Sequence, residues 1–351
     1  MKRKINISIL MCVMMLFSSC GGPDALLINM VRNDGSVERR VILTYHKDEF
    51  DLSDCQVPVD SSWNITKSYD VSEKGDTTYS LSAEKEFESV DMINKLYDEY
   101  EGTNPLMKRE AGFRKKFRWF NTVYSYTETV ERALRGIDPE AFFSEQELDY
   151  FYMPEKLIDA LLEGPDSTRI QETMTDPLDK KKEEWFSKSL VRAFVFKVVD
   201  TVSVNPGIKV DTSELFEKEE ELYYSTISPI EGMEEQQLVD TLLGEGFYEN
   251  NSILVDTLLS DVENEFMVAL ETDSYLVQTF MPGELTSTNG YIDKDGNILW
   301  EVKGEVFLST DYNMWAESKT TNLWAWIITG AFLLFVISGL SVKAARMSGK
   351  K

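Results

Sequence analysis

The chain has 351 residues, with 61 acidic and 36 basic side chains and a formal net charge of −25 at pH 7. A surface this acidic argues against broad binding of nucleic acid or anionic lipid, because both ligands require a cationic face. A single histidine and three cysteines leave too few ligands for an ordinary zinc site, and we expect no cofactor.

Residues 1–19 are predicted to be a lipoprotein signal peptide. A basic start is followed by an apolar stretch over residues 5–17 and by small residues immediately before Cys20. Residues 16–20, LFSSC, resemble a bacterial lipobox, and this resemblance implies cleavage before Cys20 and a diacylglycerol thioether on its sulfur. An ordinary signal peptide or an uncleaved short helix is the alternative.

Residues 20–127 are predicted to be rich in β-strands. Alternating apolar residues on either side of turn sequences predict two hairpins, the first around an Asp-Gly pair that favours a tight turn. These hairpins pair residues 26–31 with 37–45 and residues 63–71 with 77–85. Cys55, in a polar stretch beyond the first hairpin, is interpreted as a buried small apolar residue rather than a nucleophile.

A basic and aromatic segment follows a predicted helix over residues 92–100. Its β-branched and aromatic residues predict one long strand over residues 113–127. Five of its side chains are candidates to face a ligand: Arg114, Lys116, Arg118, Trp119 and Tyr124. Two interpretations stay open, a binding face for phosphate headgroups or a sugar acid, and internal pairing of the cations with the many carboxylates.

Residues 128–262 are predicted to form a helical insertion. Ser144 and Glu147 have the spacing of a capping box. Apolar residues at helical spacing predict five helices, over residues 157–162, 179–202, 213–224, 234–243 and 251–259. The second of these is apolar on several sides around residues 190–199, which indicates burial.

Residues 263–322 are predicted to return to β-structure. The predicted strands cover residues 265–271, 275–281, 286–292, 298–302 and 305–318, with a hairpin turn at residues 293–297. Together these patterns predict the α+β class: an antiparallel sheet built from both ends of the extracytoplasmic domain, a helical insertion between them, and one C-terminal transmembrane helix.

Residues 323–342 contain no charged side chain, and twenty helical residues span roughly 30 Å, the thickness of a bilayer's hydrocarbon core. Trp324 and Trp326 at one end, and Lys343 and Arg346 beyond the other, are typical of membrane interfaces. The positive-inside rule then places residues 343–351 in the cytoplasm and the main domain outside. A buried core helix is the alternative.

Several short motifs together suggest a family. They are the lipobox cysteine, the hairpin at residues 33–36, Met-Pro-Gly-Glu at 281–284, Asn-Gly at 289–290, the strand containing Trp300 and the C-terminal apolar helix. In this order they resemble the LppM-type bacterial lipoproteins, over residues 20–90 and 265–351. The resemblance implies a membrane-tethered, non-catalytic domain for which lipid or glycolipid binding has been proposed.

Two functional classes are compatible with the sequence. The first is a lipoprotein of the bacterial cytoplasmic membrane, without catalytic activity, that binds a lipid, a glycolipid or another envelope protein and no nucleic acid. The second is a hydrolase of envelope polysaccharide that uses two carboxylates, since Asp and Glu are abundant and that chemistry requires only one pair. No spacing in the sequence selects such a pair.

Overall fold

The computed structural model describes residues 23–48, 50–72, 75–102, 104–205, 210–225 and 234–348. The predicted signal peptide and Cys20 lie outside these residues. Within them, eleven strands form two sheets. The strands are β1 (Asp24–Val31), β2 (Val37–Tyr45), β3 (Asn64–Val71), β4 (Thr77–Phe87), β5 (Arg109–Phe117), β6 (Asn121–Val130), β7 (Tyr275–Phe280), β8 (Glu284–Thr288), β9 (Tyr291–Ile292), β10 (Ile298–Val302) and β11 (Tyr312–Thr321).

Most of the helices lie in the sequence between β6 and β7. They are α1 (Val90–Asp98), α2 (Pro139–Phe142), α3 (Glu145–Phe151), α4 (Glu155–Leu162), α5 (Ser167–Ile170), α6 (Asp176–Val204), α7 (Thr212–Ser225), α8 (Glu235–Leu243), α9 (Phe247–Asn250), α10 (Ser252–Leu270) and α11 (Leu323–Ser348). The predicted α+β class is confirmed, and Ser144 and Glu147 form the predicted capping box at the start of α3.

The first sheet has seven strands in the order β3-β4-β2-β1-β7-β10-β9. Both predicted N-terminal hairpins are present, and every neighbouring pair is antiparallel except β1 with β7. Gly35 supplies the positive φ, 96°, that the first turn requires. A β-carbon at Gly35 would also lie 2.8 Å from the ring of Phe113 in β5, so the turn sits against the second sheet.

The second sheet has four strands in the order β5-β6-β11-β8. The single long strand predicted over residues 113–127 is wrong, because the chain reverses between β5 and β6. Two backbone hydrogen bonds between Arg118 and Asn121, at 2.8 and 3.1 Å, close this turn. Asn121 is the only common turn residue among residues 118–121, so the local sequence resembles a continuing strand. The aromatic residues of the turn are held by contacts with distant α11.

Three predicted C-terminal strands also differ from the structure. Residues 265–271 belong largely to α10, where buried Val262, Phe266 and Ala269 continue the helical spacing. Residues 286–292 divide between β8, which pairs with β11, and β9, which pairs with β10. The last strand begins at Tyr312, since residues 303–310 form turns that lead into it.

The two sheets pack face to face with their strands aligned. At one end, Arg109 of β5 lies 5.0 Å from the ring of Tyr275, the first residue of β7. Towards the other end, Ser318 of β11 donates to the carbonyl of Pro282, just beyond β7, at 2.8 Å. The β5–β6 turn and the end of β11 therefore lie at one end of the sandwich, and Asp24, where β1 begins, lies at the opposite end.

A buried ionic cluster centred on Glu128 of β6 lies between the sheets. Its two carboxylate oxygens accept hydrogen bonds from Arg39 at 2.7 Å and from Arg109 at 3.1 Å. The Tyr126 hydroxyl and the Asn29 amide also donate to it, at 3.0 and 3.5 Å. The three charged side chains are at most 1% exposed, so each depends on the others for its charge to be compensated.

We call the helices between β6 and β7, residues 139–270, the helical layer. Trp185 of α6 is fully buried in it. Its ring packs against Phe143 and Phe151, with centroids 5.8 and 5.5 Å away. Its Nε1 donates to the carbonyl of Ile137 at 2.8 Å, and the same carbonyl accepts from Ser309 at 2.6 Å. Trp185 therefore connects the helical layer to the segments that follow β6 and precede β11.

Candidate membrane-interface site

Helix α11 follows the last strand after a single residue, Asn322. Residues Leu323–Ala345 are long and apolar enough to cross a membrane, and the most apolar part of this span is only 6% buried. A core helix of a soluble domain is mostly buried, so the alternative of a core helix does not fit this exposure. The described part of the chain thus contains one helix suited to spanning a bilayer.

The aromatic residues of the β5–β6 turn pack against the start of α11. We call residues 117–120 the hairpin tip. Phe117 stacks on Trp324 with ring centroids 6.1 Å apart, and Trp119 meets the same indole edge to face at 5.4 Å. Phe120 lies 4.3 Å from Trp326. The five rings thus form two groups of contacts between the hairpin tip and the helix, although each ring remains 37–56% exposed.

Polar contacts fix the hairpin tip to the helix as well. The backbone N–H of Asn322 donates to the carbonyl of Phe120 at 2.9 Å, and its side-chain amide donates to the carbonyl of Arg118 at 2.8 Å. Further along the helix, Trp119 Nε1 donates to the Thr329 hydroxyl at 2.9 Å. Because Thr329 lies six residues into α11, the tip extends roughly 9 Å along the helix from its first residue.

A row of cations adjoins the hairpin tip, and we call Arg114, Lys116 and Arg118 the basic row. Arg114 and Lys116 are two residues apart in β5, so they project from the same face of the sheet. All three side chains are exposed and none forms an ion pair with another described residue. Lys115, on the opposite face, donates instead to the carbonyl of Asn33 at 2.9 Å. The structure therefore offers no support for internal pairing of the basic row with carboxylates.

The other predicted site residues have different environments. Tyr124 is 3% exposed and its hydroxyl lies 3.2 Å from that of Thr320, so it supports the hairpin from inside and does not face solvent. Lys343 is exposed near the far end of α11, while the side chain of Arg346 lies outside the described part of the structure. Cys55 is buried, as predicted, and burial raises the pKa of its thiol to about 12.

Sequence reasoning missed four residues of this site: Phe117, Phe120, Asn322 and Thr329. Phe117 and Phe120 belong to the segment that was interpreted as one strand, in which they resemble ordinary alternating residues. Asn322 carried one usable signal, because it is a polar residue with side-chain donors placed between a strand and an apolar helix. The pairing of Trp119 with Thr329 joins residues 210 positions apart and has no local signature.

Comparisons with known proteins return no significant match of this chain to a protein-family model, to a curated protein or to a solved structure.

Proposed function

We propose that this protein is a membrane-anchored binding module without catalytic activity, and that the basic row contacts the anionic headgroups of lipids or glycolipids. The single observation that carries the proposal is the packing of the hairpin tip on the first turns of an apolar helix. The proposed location is the bacterial cytoplasmic membrane, with the main domain outside the cell and residues 343–351 in the cytoplasm, as the positive-inside rule favours.

The exposed rings of the hairpin tip support this arrangement. Tryptophan and other aromatic side chains favour the headgroup region, where an apolar ring and a polar N–H are both accommodated. If α11 enters the bilayer near Leu323, Trp119 lies beside its first two turns and within that region. Arg114, Lys116 and Arg118 are then next to the lipid phosphates, which attract cations even though the domain as a whole is acidic.

This orientation constrains the proposed lipid anchor. Asp24 lies at the end of the sandwich opposite α11, and the four-residue step from Cys20 to Asp24 spans at most about 14 Å. Strands of nine or ten residues extend for roughly 30 Å. We propose the upright orientation, in which the sandwich stands on its hairpin tip and α11 alone anchors the protein to that leaflet. Acyl chains on Cys20 would reach the same leaflet only if the sandwich lay along the membrane.

Lipid selectivity tests the role of the basic row. The full chain is reconstituted in mixed vesicles of phosphatidylcholine and phosphatidylglycerol, and spin-labelled lipids report the preference for the anionic headgroup. Replacing Arg114, Lys116 and Arg118 together with glutamine should lower that preference at least about fivefold, since one cation at an anionic surface contributes about 1 kcal/mol.

A matched control removes the same charge elsewhere. Lys47, Lys156 and Lys180 are exposed and lie just beyond the end of β2, in α4 and in α6, away from the hairpin tip. Their combined replacement with glutamine should leave the preference for phosphatidylglycerol unchanged. An unaltered preference in the first variant, or an equal loss in the control, would refute headgroup binding by the basic row.

A further inference from the structure

An open cavity of about 780 Å³ lies between the helical layer and the end of the second sheet. Its cationic side chains come from the segment after β6 and from α6: Arg132, Arg135, Lys188 and Arg192. This volume is within the roughly 300–1,000 Å³ of typical small-molecule sites. Two carboxylates, Asp138 and Glu220, also line it, so cations outnumber anions at this cavity in a chain with 61 acidic and 36 basic residues.

Three of these cations are positioned by carboxylates. Arg135 pairs with Asp200 at 2.8 Å, Lys188 pairs with Glu184 at 2.6 Å, and Arg192 contacts Glu219. Each pair uses only part of the available N–H groups, because a guanidinium has five donors and an ammonium three. The carboxylates therefore hold the cations in place and leave N–H groups directed elsewhere.

Arg132 differs from the other three. Its backbone N–H donates to Asp311, but its side chain forms no ion pair or hydrogen bond with any described residue. It is the cation at this cavity whose charge no described carboxylate compensates directly. An anionic ligand would pair with Arg132 first and could take a second hydrogen bond from the unused face of Arg135.

The cavity also has apolar walls. Phe142 and Phe196 line it, and the guanidinium of Arg135 stacks on Phe196 at 4.0 Å, which fixes its plane. The hydroxyls of Ser309 and Thr310 complete the wall on the β11 side. Cations, hydroxyls and aromatic faces together suit a ligand that has one anionic group on a small polar ring.

The position of the cavity indicates where the ligand comes from. Arg132 lies two residues beyond the end of β6 that is opposite the hairpin tip, and Thr310 lies two residues before the same end of β11. The cavity is thus roughly 30 Å from the start of α11. If the hairpin tip is at the membrane surface, a point that rests on the proposed function, the cavity opens into the aqueous phase.

We propose that this cavity is a binding site for a water-soluble sugar that carries a carboxylate or a phosphate, with Arg132 as its principal anion contact and Arg135 as the second. Carboxylate and phosphate share the bidentate geometry that a guanidinium recognises. The site is independent of the basic row, which faces the lipid.

Ligand titrations test this site. The full chain in phosphatidylcholine nanodiscs is titrated with glucuronate, glucose 6-phosphate and neutral glucose, and binding is followed by saturation-transfer NMR and calorimetry. We expect one of the two anionic sugars to bind with a dissociation constant of about 1 mM or tighter, and glucose to bind at least about tenfold more weakly. Binding of glucuronate would identify a carboxylate as the anionic group that the site recognises, and binding of glucose 6-phosphate would identify a phosphate.

Two variants locate the binding. Arg132→Gln should weaken the anionic sugar about tenfold or more with an unchanged melting temperature, because that side chain supports nothing else in the described fold. Lys156→Gln, which removes an exposed cation from α4, should have no effect. Absence of binding by both anionic sugars at about 10 mM, equal binding of glucose, or full binding by Arg132→Gln would overturn the proposal.

The basic-row variant separates the two proposals. Replacing Arg114, Lys116 and Arg118 with glutamine should leave sugar binding intact even if it abolishes lipid selectivity. Loss of sugar binding in that variant, with Arg132→Gln unaffected, would assign the anion to the hairpin and overturn the cavity site.

Discussion

Replacing Glu128 with alanine should lower the free energy of unfolding by about 3–5 kcal/mol, the cost of removing one partner from a buried ion pair. The variant leaves Arg39 and Arg109 between the sheets without a counter-charge, and both guanidinium groups are too deeply buried for water to compensate. Urea or thermal unfolding of the full chain in detergent micelles, followed by circular dichroism, measures the change.

Two further variants test the physical reason. Glu131→Ala removes an exposed carboxylate from the end of the same sheet and should change stability by less than about 0.5 kcal/mol. A triple variant with Arg39→Met, Arg109→Met and Glu128→Leu should recover most of the loss, because apolar residues of similar volume avoid the desolvation cost of the charges. A triple variant as unstable as Glu128→Ala would contradict this explanation.

The contribution of Glu128 should also depend on pH. Burial alone would raise the pKa of this carboxyl, but the charges of Arg39 and Arg109 outweigh burial and hold the pKa below its ordinary value. The stabilisation is therefore complete above the ordinary carboxyl pKa and disappears as the pH falls through the folded-state pKa. The difference in stability between wild type and Glu128→Ala should shrink over that acidic range.

Replacing Trp185 with alanine should destabilise the helical layer by about 3–5 kcal/mol, the usual cost of truncating a buried tryptophan. The variant removes the ring that Phe143 and Phe151 contact and the hydrogen bond to Ile137. Trp185→Phe keeps most of the aromatic contact and should cost about 1–2 kcal/mol. Hydrogen exchange resolved by peptide should show the largest increase in α6 for the alanine variant. Equal stability of the two variants would argue against a packing role for the indole.

Sequence patterns were sufficient to predict those elements that are determined by residues close together in the chain. The Asp-Gly turn and period-two alternation specified the first hairpin, the spacing of Ser144 and Glu147 specified a helix start, and the apolar run specified α11. The parallel pairing of β1 with β7 was beyond this reasoning, because it joins residues about 250 positions apart without a turn between them. The end of α10 was mistaken for a strand because its β-branched and aromatic residues fit either period.

The candidate site was predicted in composition but not in geometry. Arg114, Lys116, Arg118, Trp119 and Tyr124 were selected as a basic and aromatic group. The structure packs Trp119 against α11, leaves the three cations exposed on the strand and turn that lead to it, and buries Tyr124. Sequence reasoning did not anticipate the reversal at Arg118, which is what brings Trp119 to Thr329. It also could not find the cavity at Arg132, since that cavity is assembled from three helices and two loops far apart in the chain.

Depth measurement by electron paramagnetic resonance tests most directly the claim that the hairpin tip lies at the membrane surface. Nitroxides attached to Lys116→Cys and, separately, to Glu131→Cys report positions about 25 Å apart on the same sheet. Cys12 and Cys20 are replaced with serine in both variants, and buried Cys55 does not take the label. We predict that the label at position 116 lies at the level of the lipid headgroups, whereas the label at position 131 is fully accessible to a water-soluble relaxation agent. Equal accessibility of both positions to that agent would contradict the account.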